Sequence, residues 1–241
     1  MKVVAVIPAR LASTRLPHKM LREIAGEPLI VWVYRAVERC RSLDQVVVAT
    51  DSDEILRCCQ QRGISVRMTS AAHRSGTERA HEISGVFAAD VYLNIQGDEP
   101  LTRPEHVESL LALMRTPGVE VGTLKTPAAQ VDINNPGAVK VVTDTSGKAL
   151  YFSRATIPHD RDGSHPRYYK HLGLYAHTKA ALDMFVRWPE SSLERIERLE
   201  QLRFLENGVP IHVAETPFDT VGVDTEEDLR RVEEILRSVE K

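Results

Sequence analysis

The sequence predicts an α/β fold: a mainly parallel sheet with helices on both faces. Two observations carry that prediction. Short β-branched apolar runs alternate with helical patterns through the first half of the chain, the βαβα rhythm of parallel sheets. The chain is also long enough: 241 residues, 42% hydrophobic and 27% charged, suffice for the core of one α/β domain. We therefore expect a single domain over residues 1–241 with a small subdomain embedded at about 137–190.

Each element has its own signal. Residues 3–7 form an apolar run that reads as a buried first strand, and residues 29–39 carry a helical pattern. Residues 46–49 are β-branched and end at Thr50-Asp51, so that Asp51 or Ser52 caps a helix through Gln61, which Gly63 stops. Residues 64–68 predict a short strand, 77–84 a helix and 91–95 a buried strand. Pro104 suits the first turn of a helix to Arg115, and residues 119–125 return as a strand.

The rhythm changes at Asn134-Asn135-Pro136-Gly137, where the subdomain is expected to leave the main sheet. Residues 139–143 and 149–152 predict a hairpin around Ser146-Gly147. A polar, irregular stretch spans 161–167, followed by a strand at 171–176 and a helix ending near Trp188-Pro189. Residues 194–206 predict helical structure and 211–214 the last strand. Thr225 and Asp228, at capping-box spacing, open the terminal helix.

Composition excludes several functions. A net charge of −3 and an aromatic content of 5% argue against a nucleic-acid polymer as partner. No apolar run approaches a membrane span. The chain enters a strand at residue 3, which leaves no room for a signal peptide and leads us to expect a cytoplasmic location. Cys40, Cys58 and Cys59 lack metal-type spacing and read as reduced, structural thiols.

The loop after the first strand carries the most chemistry. The stretch Pro8-Ala9-Arg10-Leu11-Ala12-Ser13-Thr14-Arg15-Leu16-Pro17-His18-Lys19 holds three cations and no acid. Ligands of open α/β sheets bind where loops leave the carboxyl ends of strands. Such a loop suits a polyanion, most simply a nucleoside triphosphate, although a solvated basic loop has the same composition. It is neither a Walker A loop nor a dinucleotide fingerprint. Two acids sit at matching places elsewhere: Asp98 in Gln96-Gly97-Asp98-Glu99-Pro100, after a central strand, and Asp224 in Gly222-Val223-Asp224-Thr225, before the last helix. Two carboxylates at one sheet edge suit Mg²⁺ and a metal-assisted nucleotidyl transfer. Each acid also has a plain structural reading, Asp98 as a turn residue and Asp224 as a helix N-cap.

The loop resembles the N-terminal signature of the sugar-acid cytidylyltransferases, and within them the 3-deoxy-manno-octulosonate (Kdo) cytidylyltransferases. Further blocks match in order: Ser75-Gly76-Thr77-Glu78-Arg79, the Gln96–Pro100 stretch, Tyr151-Phe152-Ser153-Arg154-Ala155-Thr156-Ile157-Pro158, Lys170-His171-Leu172-Gly173-Leu174-Tyr175, Leu199-Glu200-Gln201-Leu202-Arg203 and the Gly222–Thr225 stretch. The chain departs from that family at His18 and Met20, where Gly and Pro are usual, at His159, where an aromatic is common, and at His177-Thr178, where Tyr or Phe and Arg are common.

The resemblance implies a Rossmann-like nucleotide-diphospho-sugar transferase fold with a small protruding dimerisation subdomain, and hence a homodimer. It implies that CTP and Kdo give CMP-Kdo, destined for bacterial lipopolysaccharide, and diphosphate, with Mg²⁺ as cofactor. Arg10 and Lys19, with Asp98 and Asp224, would be catalytic; Arg10, Arg15 and Lys19 would hold the triphosphate, and Asp98 and Asp224 the metal. Pro8, Ala9, Ser75, Gly76 and Arg79 would lie by the cytidine. Gln96 would orient the sugar or a metal-bound water, while Arg154, His171, Tyr175, Glu200 and Gln201 would form the sugar-acid site. Those residue types suit a polyhydroxylated carboxylate, since Arg pairs a carboxylate and the others read hydroxyls. Unaided, Arg154 also reads as a surface ion pair, His171 and Tyr175 as core, and Glu200 and Gln201 as a solvated helix face. A sialic acid cytidylyltransferase, another sugar nucleotidyltransferase and a non-catalytic nucleotide-binding protein are the alternatives.

Overall fold

The Val-rich runs become strands because branched side chains fit a pleated, covered surface. The computed structural model describes residues 1–13, 15–164 and 166–239. In chain order the elements are β1 (Val3–Ala9), β2 (Glu23–Ile24), β3 (Glu27–Pro28), α1 (Leu29–Glu38), β4 (Gln45–Thr50), α2 (Asp53–Gln60), β5 (Val66–Met68), α3 (Gly76–Ser84), β6 (Val91–Ile95), α4 (Pro104–Met114), β7 (Val121–Pro127), α5 (Gln130–Ile133), β8 (Lys140–Thr143), β9 (Ala149–Ser153), β10 (Tyr169–Thr178), α6 (Lys179–Arg187), α7 (Ser192–Glu197), α8 (Leu202–Glu206), β11 (Ile211–Glu215) and α9 (Glu226–Val239). The fold is mixed α/β with mostly parallel strands flanked by helices, as expected. It divides into two compact units, one of residues 1–107 with the segment from Thr220 onward, the other of residues 108–219.

In the first unit β1 lies between β4 and β6, with β5 beyond β4, all parallel. The register pairs Ala9 with Thr50 and Val6 with Asn94, so the loops after β1, β4 and β6 leave from one edge. The caps form as side-chain chemistry dictates. Ser52, not Asp51, caps α2 by accepting from the Glu54 and Ile55 amides at 3.2 and 3.4 Å. Ser75 caps α3 through the Glu78 amide at 3.2 Å. Thr225 and Asp228 exchange hydrogen bonds of 2.9 and 3.2 Å across the first turn of α9.

Between β1 and α1 the chain does something its pattern does not signal. His18 adopts φ 54°, ψ 30° and leads into a 3₁₀ turn over Lys19–Leu21. That left-handed conformation is where glycine costs least, which gives a physical reason for glycine at this place in the resembling family. The strands β2 and β3 then form a small antiparallel ribbon. The α9 helix fastens to the same segment, through an Arg22–Glu226 ion pair of 2.6 Å and the Ala25 amide donating to Glu233 at 3.1 Å.

In the second unit β7 pairs antiparallel with β10 and parallel with β11. The expected hairpin forms from β8 and β9, its turn tied by Asp144 Oδ1 accepting from the Ser146 and Lys148 amides at 2.8 and 2.9 Å. The helical structure expected over 194–206 forms as two helices, α7 and α8, parted at Arg198, which takes φ 55°. The break has a tertiary cause. Glu194 and Arg203 form a buried bidentate pair at 2.6 and 2.7 Å, with the guanidinium 4.0 Å over the Phe185 ring. In one continuous helix residues nine apart would sit about 13 Å apart along the axis.

A row of rings crosses this unit's interior: Phe152 to His171 at 4.8 Å, His171 to Tyr175 at 5.4 Å, Tyr175 to His177 at 5.8 Å and His177 to Phe204 at 5.7 Å. Burial alone holds both histidines neutral, with pKa values lowered to about 3. The unfolded chain takes up protons below the ordinary value near 6.5, and the folded chain refuses them until about 3. Stability is therefore full above pH 6.5 and lost as pH falls toward 3, by about 1.4 kcal/mol per pH unit for each histidine. Neither nitrogen of His177 has a partner among the described residues. His177→Phe should accordingly keep or raise stability at pH 8 and remove about half of the steepness that the two histidines contribute between pH 6 and 4, measured by urea unfolding. An unchanged slope would contradict this reading.

Candidate active site

The cationic loop and both candidate acids belong to the first unit, and the backbone brings them together. The Val223 amide donates to the Asp98 carbonyl at 2.9 Å, which ties the turn after β6 to the segment leading into α9. Into this junction reaches Lys19, whose side chain is only 9% exposed. Its Nζ donates to Asp98 Oδ2 at 2.5 Å and to Asp224 Oδ1 at 3.0 Å. Arg15, largely exposed, pairs with the other Asp224 oxygen at 2.9 Å. Burial pulls the Lys19 ammonium down, but the charges and hydrogen bonds of Asp98 and Asp224 outweigh it and hold its pKa above the ordinary value. Asp224 is not the cap of α9, since Thr225 fills that role.

The neighbouring backbone is packed to its limit. A Cβ on Gly97 would meet the Pro8 carbonyl at 2.6 Å, so only glycine lets the turn before Asp98 touch β1. A Cβ on Gly76 would meet the Asn94 amide at 2.9 Å and Pro8 at 3.3 Å. Pro8 and Gly76 therefore meet at Asn94 near the end of β6, with Ser75 adjacent in the chain and Ala9 buried at the end of β1. Arg10 is exposed, and Thr14 lies outside the described residues. An open groove of about 450 Å³ is lined by Leu11, Ala12, Ser13, Pro17, His18 and the Asp51-Ser52 turn. Arg79 is buried and committed: it pairs with Asp51 and donates to Thr69 Oγ1 at 2.6 Å. Gln96 is half-buried at the turn that precedes Asp98.

The remaining candidates lie in the second unit. His171 Nε2 meets Thr123 Oγ1 at 2.9 Å, while that hydroxyl donates to the Leu174 carbonyl at 2.8 Å. The hydroxyl has one proton, so His171 carries its own on Nε2 and leaves Nδ1 as an acceptor. Tyr175 is buried beside it; burial, and then the charge of Glu200, raise its pKa well above the usual phenol value, so it stays a donor. Gln201 is 3% exposed and its Nε2 has no partner among the described residues. A solvated helix face thus does not describe Gln201, which precedes α8. Glu200 is half-buried in the break between α7 and α8. Arg154 is not a loose surface cation: its side chain donates to the Glu197, Pro136 and Arg198 carbonyls at 2.9, 3.0 and 3.4 Å.

Two residues to which the sequence reading gave no role support these. Lys140 is fully buried and donates to the Asn135, Ala138 and Arg154 carbonyls at 2.8, 2.6 and 2.8 Å, fixing the backbone that presents Arg154. Asn94 is fully buried beneath Gly76 with both amide atoms unpartnered among the described residues. A lysine among the valines of β8 and an asparagine inside the apolar β6 were the available signals, because polar groups at such positions need a partner.

The acid pair fits a divalent cation. Asp98 and Asp224 already share one cationic nitrogen, and Mg²⁺ binds characteristically through one or two carboxylates plus substrate phosphates. Among the described residues no group of three or more His, Cys, Asp or Glu could hold a metal.

Comparison with known proteins shows the family of the chain. Residues 4–214 match the cytidylyltransferase family. A 3-deoxy-manno-octulosonate cytidylyltransferase of Koribacter versatilis is 63% identical, covering 98% of this chain and 91% of the relative. Another from Acidobacterium capsulatum is 55% identical, covering 98% and 97%. A solved CMP:2-keto-3-deoxy-manno-octonic acid synthetase complexed with CTP superposes with a TM-score of 0.94 at 41% identity, covering 99% of each chain. The chain belongs to the 3-deoxy-manno-octulosonate cytidylyltransferase family.

Proposed function

We propose that the chain joins CTP to Kdo, giving CMP-Kdo and diphosphate, in the cytoplasm and with Mg²⁺ as cofactor. The observation that carries this reading is the convergence of Lys19, Arg15, Asp98 and Asp224 on one spot, in a chain whose relatives bear that activity in their names. Their names favour Kdo over sialic acid as the sugar. Among the described residues no helix is long and apolar enough to cross a membrane.

The reaction forms one P–O bond, breaks the α–β P–O bond and the hydroxyl O–H bond, and passes the hydroxyl proton to solvent. The 2-hydroxyl oxygen of Kdo attacks the α-phosphorus, the α–β anhydride bond breaks, and diphosphate leaves. Arg10, Arg15 and Lys19 hold phosphate oxygens by charge-assisted hydrogen bonds. Asp98 and Asp224 hold the cation, and Mg²⁺, when bound, supplies positive charge against the triphosphate and the departing diphosphate. Pro8, Ala9, Ser75, Gly76 and Arg79 seat the cytidine, Arg79 acting through the Asp51 pair that fixes it. Arg154 pairs the Kdo carboxylate. The neutral His171 accepts a sugar hydroxyl at Nδ1, Tyr175 donates, and Glu200 and Gln201 read the remaining hydroxyls, with Gln96 orienting the sugar. The protein's contribution is positioning and charge, with no covalent intermediate required.

The chain functions as a homodimer through its embedded segment at about 137–190, and sedimentation of the full chain at assay concentration checks this, a monomer contradicting it. Diphosphate release from CTP and Mg²⁺ tests the activity itself. We expect turnover with Kdo, none without sugar and very little with sialic acid, whose N-acetyl group and longer tail leave a buried polar pocket mispaired. Asp98→Asn and Asp224→Asn should each lower turnover about a hundredfold or more while the fold persists. Near-normal turnover of either variant at saturating Mg²⁺ would remove the metal assignment.

Arg154 gives the sharpest test of the sugar side. Loss of a charge-assisted pair with a carboxylate should raise the KM for Kdo in Arg154→Ala by one to two decades, about 1.5–3 kcal/mol, with calorimetric CTP affinity kept. A variant that handled Kdo normally would show that the guanidinium serves only the Pro136, Glu197 and Arg198 carbonyls.

A further inference from the structure

The same site holds a balance of charge that bears on how its ligands bind, an inference that rests on the metal assignment above. Without ligands, Asp98 and Asp224 are matched by Lys19 and Arg15, two carboxylates against two cations, all within hydrogen-bond distance. Lys19 is the most buried of the four, at 9% of its side chain, against 23% for Asp98, 41% for Asp224 and 64% for Arg15. Its ammonium bridges one oxygen of each acid.

The geometry points to Lys19 as the resident counter-cation of the metal site, making metal binding depend on the nucleotide. A divalent cation entering alone would have to displace Lys19 from both carboxylates and leave a buried ammonium unpaired, which is costly. It would also find too few protein ligands, since no third metal-binding side chain joins the pair among the described residues. A triphosphate changes both conditions at once. It gives Lys19 and Arg15 new anionic partners, so they release the carboxylates, and it contributes phosphate oxygens to the cation. The two ligands are thus coupled through one side chain, and the coupling is reciprocal by thermodynamic linkage.

The inference is tested by titrating Mn²⁺, as a paramagnetic probe, into the full-length chain without nucleotide. Wild type should bind it weakly. Lys19→Met, which uncovers the two carboxylates, should bind it roughly tenfold to a hundredfold more tightly, and Lys19→Gln, which keeps hydrogen bonds but removes the charge, should do the same. Lys19→Arg should stay weak. Circular dichroism checks that each variant is folded, and the Gln variant serves if the Met variant is not. Wild-type affinity as tight as that of the uncharged variants would overturn the coupling while leaving the metal assignment in place. Adding Asp98→Asn to Lys19→Met should abolish the gain. If the gain survived Asp98→Asn, the cation would lie elsewhere, and the metal assignment itself would fall.

Discussion

The contact on which the site depends is the ammonium of Lys19 lodged between two carboxylates from distant parts of the chain. Asp98 lies in the turn just after β6, and Asp224 precedes the last helix. Two like charges this close would repel and keep the loops apart without a cation between them. With Lys19 there, the loops can approach until Val223 donates to the Asp98 carbonyl at 2.9 Å. The α9 helix then docks on the segment that carries Lys19, through Glu226 and Glu233. The charge that organises this edge is the same charge that the proposed reaction places on phosphate oxygens.

That arrangement asks for a tightly shaped backbone, and the chain supplies it at local cost. His18 is held in the left-handed region immediately before Lys19, a conformation that costs a β-carbon residue about 1 kcal/mol or more. Gly97 is the converse, a residue whose missing side chain lets the turn before Asp98 press on Pro8. In the second unit the candidate sugar-site groups are fixed by a different means. Lys140 gathers three carbonyls, Glu197 accepts from the Arg154 amide at 3.0 Å, and the row of rings immobilises His171 and Tyr175. Groups held in one rotamer before the substrate arrives lose little entropy when they bind it.

Much of the fold was legible, for reasons that are local. The Val-rich strands, the Ser52 cap, the hairpin turn at Ser146-Gly147 and the Thr225–Asp228 box all follow from chemistry within a few residues. What stayed hidden depends on distant partners. Arginine has good helix propensity, so nothing at Arg198 foretells a break; the Glu194–Arg203 pair dictates it. The burial of Gln201 follows from the same break. Asp51 reads as a helix cap until Arg79, far along the chain, takes its carboxylate. The cations of the first loop and the two acids were visible as residue types, but their meeting was not, because 126 residues separate Asp98 from Asp224.

A crystal structure of the chain with CTP and Mn²⁺, located by anomalous scattering, tests the central claim most directly. The account predicts the metal within ligand distance of both Asp98 and Asp224, with Lys19 Nζ moved onto a phosphate oxygen. Lys19 still bridging the two carboxylates, with the metal bound elsewhere, would contradict it.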